Sequence, residues 1–268
     1  MNTSGHTRRA RLPVALLLVA STALAQAPTQ TGQKPFEPQV GQLGKDVVWV
    51  PTGAALVETM LDLAKVTPQD YVVDLGSGDG RTVIAAARRG ARALGVEYNP
   101  DMVALSRRNA AAAGISARAS FVQGDIFATD FSQATVVTLF LLPQLNLRLR
   151  PTILDMKPGT RVVSNTFTME DWQPDQTAHV GDCESWCTAL FWIVPAKVGG
   201  AWKMAQGTLA LTQNFQFITG TLGSQPVEGR LTGADITFTT GGTVYRGRVN
   251  GSAMQGTTAA GAAWTATR

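Results

Sequence analysis

Histidine and cysteine are almost missing from this sequence. Its 268 residues include two histidines, His6 and His179, and two cysteines, Cys183 and Cys187. A structural zinc site takes four N or S ligands at set spacings, and this set does not supply them, so no metal is expected. A Ser/His/Asp hydrolase would have only His179 to draw on once the N-terminal segment is set aside, and no nucleophile elbow is present. Charge is also sparse, at 16% of residues. Three of the 23 basic residues, Arg8, Arg9 and Arg11, fall in the first 25 positions, which hold no acid. That leaves 20 basic against 19 acidic residues. No basic run resembles a nucleic-acid patch, so nucleic acid is not an expected partner. Beyond the N-terminus no apolar run is long enough to span a bilayer. The 44% hydrophobic content is enough for a packed core and excludes wholesale disorder.

The N-terminus reads as a secretory signal peptide over residues 1–25. Arg8, Arg9 and Arg11 form a positive n-region, Leu12 to Ala20 is apolar but too short to cross a membrane, and Ala23-Leu24-Ala25 gives a small-x-small pattern before Gln26. An uncut membrane anchor is the competing reading. Residues 26–45, rich in Gln, Pro, Gly and Thr, read as a flexible linker. Export implies a periplasmic or envelope location; a misread signal would leave the chain cytoplasmic or membrane-anchored. In an oxidising compartment Cys183 and Cys187 are able to pair. Their i, i+4 spacing suits a helix face or a short loop, and two free buried thiols or a metal or redox role stay open.

From residue 46 apolar runs alternate with helical patterns. Tyr71-Val72-Val73, Ala93 to Val96, Ser120 to Val122, Thr135 to Leu141 and Arg161 to Ser164 read as five strands. Thr82 to Arg89 reads as a helix. A second begins at Asn99, with Pro100 at its first position, and runs to about Ala113. A third helical stretch is expected to be interrupted by Pro151. Such alternation predicts an α/β domain over 46–195, a doubly wound parallel sheet covered on both faces. From about Ala201, short segments alternate polar and apolar residues between Gly-rich turns. They predict an antiparallel β-meander as a small second domain, 196–268.

The chemistry centres on Asp74-Leu75-Gly76-Ser77-Gly78-Asp79-Gly80, between a strand and a helix. Glycines let backbone turn sharply and approach a ligand closely, and ligands bind at the carboxyl ends of strands in doubly wound sheets. A dinucleotide fingerprint would need glycine at position 81, where this chain has Arg81. Asp74 and Asp79 would repel a pyrophosphate, whereas S-adenosylmethionine (SAM) presents an amino acid and a sulfonium cation. Glu97, seventeen residues after Gly80, ends the next strand, where a carboxylate is able to accept both ribose hydroxyls. Asp125 follows the third strand.

Asp-Leu-Gly-Ser-Gly-Asp-Gly-Arg resembles the first motif of class I SAM-dependent methyltransferases, in a form seen in lysine methyltransferases without a SET domain. The resemblance spans about Val47 to Val194. With Trp49-Val50-Pro51-Thr52 it is similar to small lysine methyltransferases that include modifiers of mitochondrial membrane proteins. The resemblance implies a seven-stranded Rossmann-like sheet and SAM as cofactor. It implies that Asp74 and the backbone of Gly76, Ser77, Gly78 and Gly80 hold the methionine end, with Thr52 closing over it. It implies Glu97 on the ribose, Tyr98 beside the adenine, Asp125 facing the adenine amino group and Ile126 packed on the ring. The implied activity is methyl transfer to a protein lysine, with a membrane or envelope protein as a candidate substrate and a small-molecule acceptor as another.

The acceptor side departs from the common pattern. Where many amino methyltransferases carry Asn or Asp-Pro-Pro-aromatic, this chain has Thr138 to Asn146 with no acid. Thr138, Phe140 and Asn146 are the candidate acceptor-pocket residues, and no general base is identified. The signal adds a tension, because SAM is made in the cytoplasm. The alternative function is therefore an exported binding or scaffold protein that keeps a SAM-like pocket without turnover.

Overall fold

Val72 to Leu75 are all buried, and this run, Tyr71–Leu75, forms β1, an interior strand of a mixed sheet. The computed structural model describes residues 1–5 and 36–268. The expected leader and the first part of the linker, with His6, lie largely outside these residues.

Before β1 comes α1 (Ala54–Leu63), which the sequence reading missed; Leu56, Val57, Met60 and Leu61 form its buried stripe. The chain continues through α2 (Arg81–Arg88), β2 (Arg92–Glu97), α3 (Pro100–Ala112), β3 (Ala119–Gln123), β4 (Val136–Leu139), α4 (Pro143–Leu154) and β5 (Arg161–Asn165). The Asn99 side chain caps α3, accepting from the Asp101 N–H at 2.9 Å. Helix α4 passes through Pro151 without a break, contrary to the interruption expected there.

Strands β6 (Gln176–His179) and β7 (Thr188–Ile193) complete a seven-stranded sheet in the order β3-β2-β1-β4-β5-β7-β6. The first five are parallel, but β7 runs antiparallel to both β5 and β6. The sheet is therefore mixed rather than wholly parallel. Because β7 is reversed, its beginning lies beside the end of β5, with Ala189 opposite Asn165.

Strands β8 (Gly200–Met204), β9 (Gly207–Asn214), β10 (Phe217–Leu222), β11 (Gln225–Thr232), β12 (Asp235–Thr240), β13 (Thr243–Asn250), β14 (Ala253–Thr258) and β15 (Ala263–Thr267) follow. Each pairs antiparallel with its sequence neighbour, as a meander requires, but the ring closes. Ala266 and Thr267 of β15 register with Met204 and Lys203 of β8. The expected meander closes into an eight-stranded barrel. At eight strands the interior is just wide enough for side chains to fill it. Here Trp202, Leu209, Ile236, Phe238, Tyr245 and Trp264 are among those that do. Phe238 stacks on Tyr245 at 4.7 Å, and Trp264 meets Phe238 edge-on at 5.5 Å. Gly247 leaves room for that indole: a Cβ there would lie 2.5 Å from Trp264 Cζ2.

The barrel is held to the sheet by an Arg230–Asp175 ion pair and by the Gln216 amide donating to the Gln173 carbonyl at 2.7 Å. Gly233 packs against Gly159, and Trp172 stacks on Phe215 at 5.9 Å. Asp175 and Gly159 precede β6 and β5, so these contacts lie at the amino ends of the strands.

Candidate functional site

The carboxyl ends of β1, β2 and β3 deliver Asp74, Glu97 and Asp125 to one crevice of about 1050 Å³, open mouth included. Thr52, Asp74, Gly76, Ser77, Gly78, Glu97, Tyr98, Asp125 and Ile126 all line it. Every expected cofactor residue but one is thereby brought together. The exception is Gly80, which lies behind the wall and opens α2 at φ +83°.

The bend after β1 is left-handed at Gly76 and Gly78 as well, a conformation that glycine alone enters freely. Gly76 and Ser77 donate their N–H groups to the Val96 carbonyl at 2.9 and 3.0 Å, and the Ser106 hydroxyl donates to the Gly78 carbonyl at 2.8 Å. Glu97 is fixed from both sides. Its Oε2 accepts from Gly78 N–H and its Oε1 from Asn99 N–H, each at 2.9 Å. A carboxylate oxygen has lone pairs to spare after one such bond, so both remain able to accept hydroxyls.

Asp74 is buried and accepts the Thr138 hydroxyl at 2.6 Å. Burial pushes its carboxyl up to about 7, and the charges of Glu97 and Asp79 push the same way against that hydrogen bond. A cationic ligand group is the natural partner for such a carboxylate. Asp79 is different: Arg81 grips it through Nε and Nη2, at distances down to 2.6 Å, while Arg81 Nη1 donates to the Thr52 carbonyl at 2.8 Å. One guanidinium thus neutralises the loop's second acid and ties the bend to the segment before α1.

The pocket's outer wall comes from the segment expected to be linker and from the residues just after it. Gly41 N–H donates to the Trp49 carbonyl and Trp49 N–H to the Gln42 carbonyl, both at 2.9 Å, so 41–49 is a hydrogen-bonded hairpin. Trp49 lies on the glycine bend, where a Cβ on Gly78 would sit 2.7 Å from its Nε1. Lys45 binds Asp125 Oδ2 at 2.7 Å and lies 4.9 Å from the centre of the Tyr98 ring. Lys45 and the Phe127 N–H together hold Asp125 below the usual carboxylate range. Composition alone hid this hairpin, since Gln and Gly suit linkers and tight turns equally.

Of the three acceptor-side candidates, Phe140 lines the pocket. Thr138 and Asn146 do not: both are fully buried behind it. Thr138 is spent on Asp74, and the Asn146 amide donates to the Phe167 carbonyl at 3.1 Å. Cys183 and Cys187 are joined as a disulfide in the β6–β7 loop. Among the described residues no cluster of three His, Cys, Asp or Glu is grouped to hold a metal, and no helix is long and apolar enough to cross a membrane.

The donor set fits SAM. Five carboxylates line the pocket, Asp46, Asp74, Asp79, Glu97 and Asp125, and its two cations, Lys45 and Arg81, are each already paired to one of them, which suits a nucleoside with a cationic amino acid arm better than a pyrophosphate. The buried Ser77 hydroxyl in the pocket wall has no protein partner.

The chain matches the model of the ANTKMT methyltransferase domain over residues 74–176. It is 44% identical over 139 residues to a protein-lysine N-methyltransferase of Saccharolobus islandicus, covering 51% of this chain and 86% of that protein. It is 37% identical over 142 residues to the adenine nucleotide translocase lysine N-methyltransferase of Mus musculus, covering 52% of this chain and 62% of that relative. A solved structure of an RNA methyltransferase from Salinibacter ruber, in complex with S-adenosyl-L-homocysteine, is 47% identical. The match covers 56% of this chain and 96% of that one, with a TM-score of 0.53.

Proposed function

This chain belongs to the protein-lysine N-methyltransferase family of SAM-dependent enzymes, and on that premise we propose that it methylates the ε-amine of lysine in a protein substrate. The observation that carries this reading is the convergence of Asp74, Glu97 and Asp125, from three successive strand ends, on one glycine bend.

SAM supplies an electrophilic methyl on a sulfonium. The chain's residues bind and orient it. Asp74 would hold the cationic methionine arm, Glu97 would accept from the ribose, and Asp125 would take the adenine amino group, with Tyr98 and Ile126 beside the ring. Thr52, whose hydroxyl accepts from the Asn165 amide at 3.3 Å, would close the methionine end from the α1 side. The acceptor amine has a reference pKa near 10.4 and must shed a proton before attack. Leu139, Phe140, Leu141, Leu145 and Met60 make an apolar wall on that side. Desolvation against such a wall lowers an ammonium's pKa and keeps water from the line of transfer.

An RNA acceptor is the second reading, favoured by the likeness to the Salinibacter RNA methyltransferase. The near balance of charge after residue 25 weighs against it, because phosphate contacts need basic side chains. A membrane or envelope protein as substrate, and an exported location, rest on the leader pattern and the names of relatives. Incubating purified protein with methyl-labelled SAM and a cell extract tests the function. Label recovered as methyl-lysine after acid hydrolysis supports it. Label lost on ribonuclease treatment, or no label beside demonstrated SAM binding, overturns it.

A further inference from the structure

Strand order divides the carboxyl edge of the sheet. The cofactor residues follow β1, β2 and β3, on one side of the Asp74 strand. The other side is β4, β5 and the reversed β7, and each contributes an aromatic at the same edge. Phe140 follows β4, Phe167 follows β5 and Trp186 precedes β7. Phe140 stacks on Phe167 at 5.9 Å and meets Trp186 edge-on at 6.1 Å. Trp186 is exposed, while Phe167 and Phe140 are half-buried, Phe140 in the pocket wall.

Local structure holds this row in place. Thr166 and Trp186 both adopt left-handed backbone, at φ +59° and +54°. Non-glycine residues avoid that region unless their surroundings enforce it. Trp186 is enclosed by the Cys183–Cys187 disulfide, and Thr166 N–H donates to the Thr188 carbonyl at 2.7 Å. The same loop carries the exposed acids Asp182 and Glu184. An exposed aromatic beside acids, leading inward over aromatic faces, suits an alkyl chain with a positive head.

We propose that Phe140, Phe167 and Trp186 form the entry for the acceptor lysine, with Trp186 set by the disulfide loop to receive the ammonium. This rests on the lysine reading above and adds to it the residues that select the acceptor.

The test uses full-length protein saturated with S-adenosyl-L-homocysteine. Ligand-observed NMR compares binding of Nα-acetyl-lysine amide with that of its neutral isostere Nα-acetyl-2-aminoheptanoic acid amide. The wild type is expected to favour the lysine compound about two- to fivefold, the range of an exposed cation–π contact. Trp186→Ala is expected to abolish the preference, Trp186→Phe to keep part of it, and the Cys183→Ser/Cys187→Ser pair to reduce it. S-adenosyl-L-homocysteine affinity should stay unchanged in all three. Equal binding of the two compounds by the wild type, or full preference in Trp186→Ala, overturns the proposal. Labelled-SAM transfer to protein lysine, measured on the same proteins free of S-adenosyl-L-homocysteine, separates the two claims. Methyl-lysine formed equally by wild type and Trp186→Ala sinks the entry while the function stands; no methyl-lysine from the wild type sinks the function itself.

Discussion

The Thr138 hydroxyl donates to Asp74 Oδ1 at 2.6 Å, and the two residues stand in register on adjacent parallel strands. A buried carboxylate beneath the glycine bend therefore keeps one neutral partner and two like-charged neighbours, Glu97 and Asp79. It stores electrostatic stress that a cationic ligand relieves.

That stress sets a pH dependence. An unfolded aspartate titrates near 3.9, whereas Asp74 in the fold titrates at about 7. Between those values the folded state holds the extra proton, so stability falls as pH rises from about 4 to about 7. Asp74→Asn removes the penalty and should melt above wild type at pH 8, by about 2–4 °C for each kcal/mol released. At pH 4 the gap should close. SAM affinity should rise from pH 6 to pH 8 in the wild type and stay flat and weak in the variant. Melting curves and calorimetry read both; a variant that melts lower at pH 8 contradicts the account.

Glu97→Gln keeps the shape and one acceptor oxygen but loses the charge. The Gly78 and Asn99 N–H groups then compete with the ribose for a single oxygen. SAM binding should weaken by about 1–3 kcal/mol, with the fold unchanged by circular dichroism. Unchanged affinity would remove Glu97 from the ribose.

Lys45 occupies Asp125 Oδ2, the group assigned to the adenine amino position, so the ligand and the hairpin compete for one carboxylate. The pair is partly exposed, at 37% and 31% of side-chain surface, and such pairs are weak. Lys45→Ala should bind SAM slightly more tightly than wild type. Added salt should narrow the difference by screening the pair. Markedly weaker binding by the variant would mean that Lys45 contacts the ligand instead.

In the barrel, Trp264→Ala should cost about 3–5 kcal/mol, because the indole is buried between Phe238, Tyr245 and Gly247. No barrel residue lines the pocket, so SAM affinity at low temperature should be retained. Denaturant melts paired with calorimetry check both; lost affinity in a folded variant would show that the barrel shapes the site.

The glycine bend was legible because left-handed backbone leaves a direct trace in residue type, and an acid at each of three strand ends confirmed the spacing. Thr138 and Asn146 were misread as pocket residues because sequence gives a position along the strand, not which side a hydroxyl or amide turns to. Trp186 gave no signal at all: it reaches Phe140 only because β7 is reversed, and strand direction has no local signature. Barrel closure was hidden for a similar reason. Each hairpin is announced by its own turn, but the last pairing joins strands some sixty residues apart through two registered residues, Ala266 and Thr267.

A ring of strands has no free margin, and this one is sealed by its final segment. Removing β15 would bare two unpaired backbone rims at once, on β8 and on β14, each a template for a foreign strand. Strand β15 therefore acts as a clasp. A truncation that removes Ala263–Thr267 is expected to open the ring, and one that spares them is expected to leave it closed.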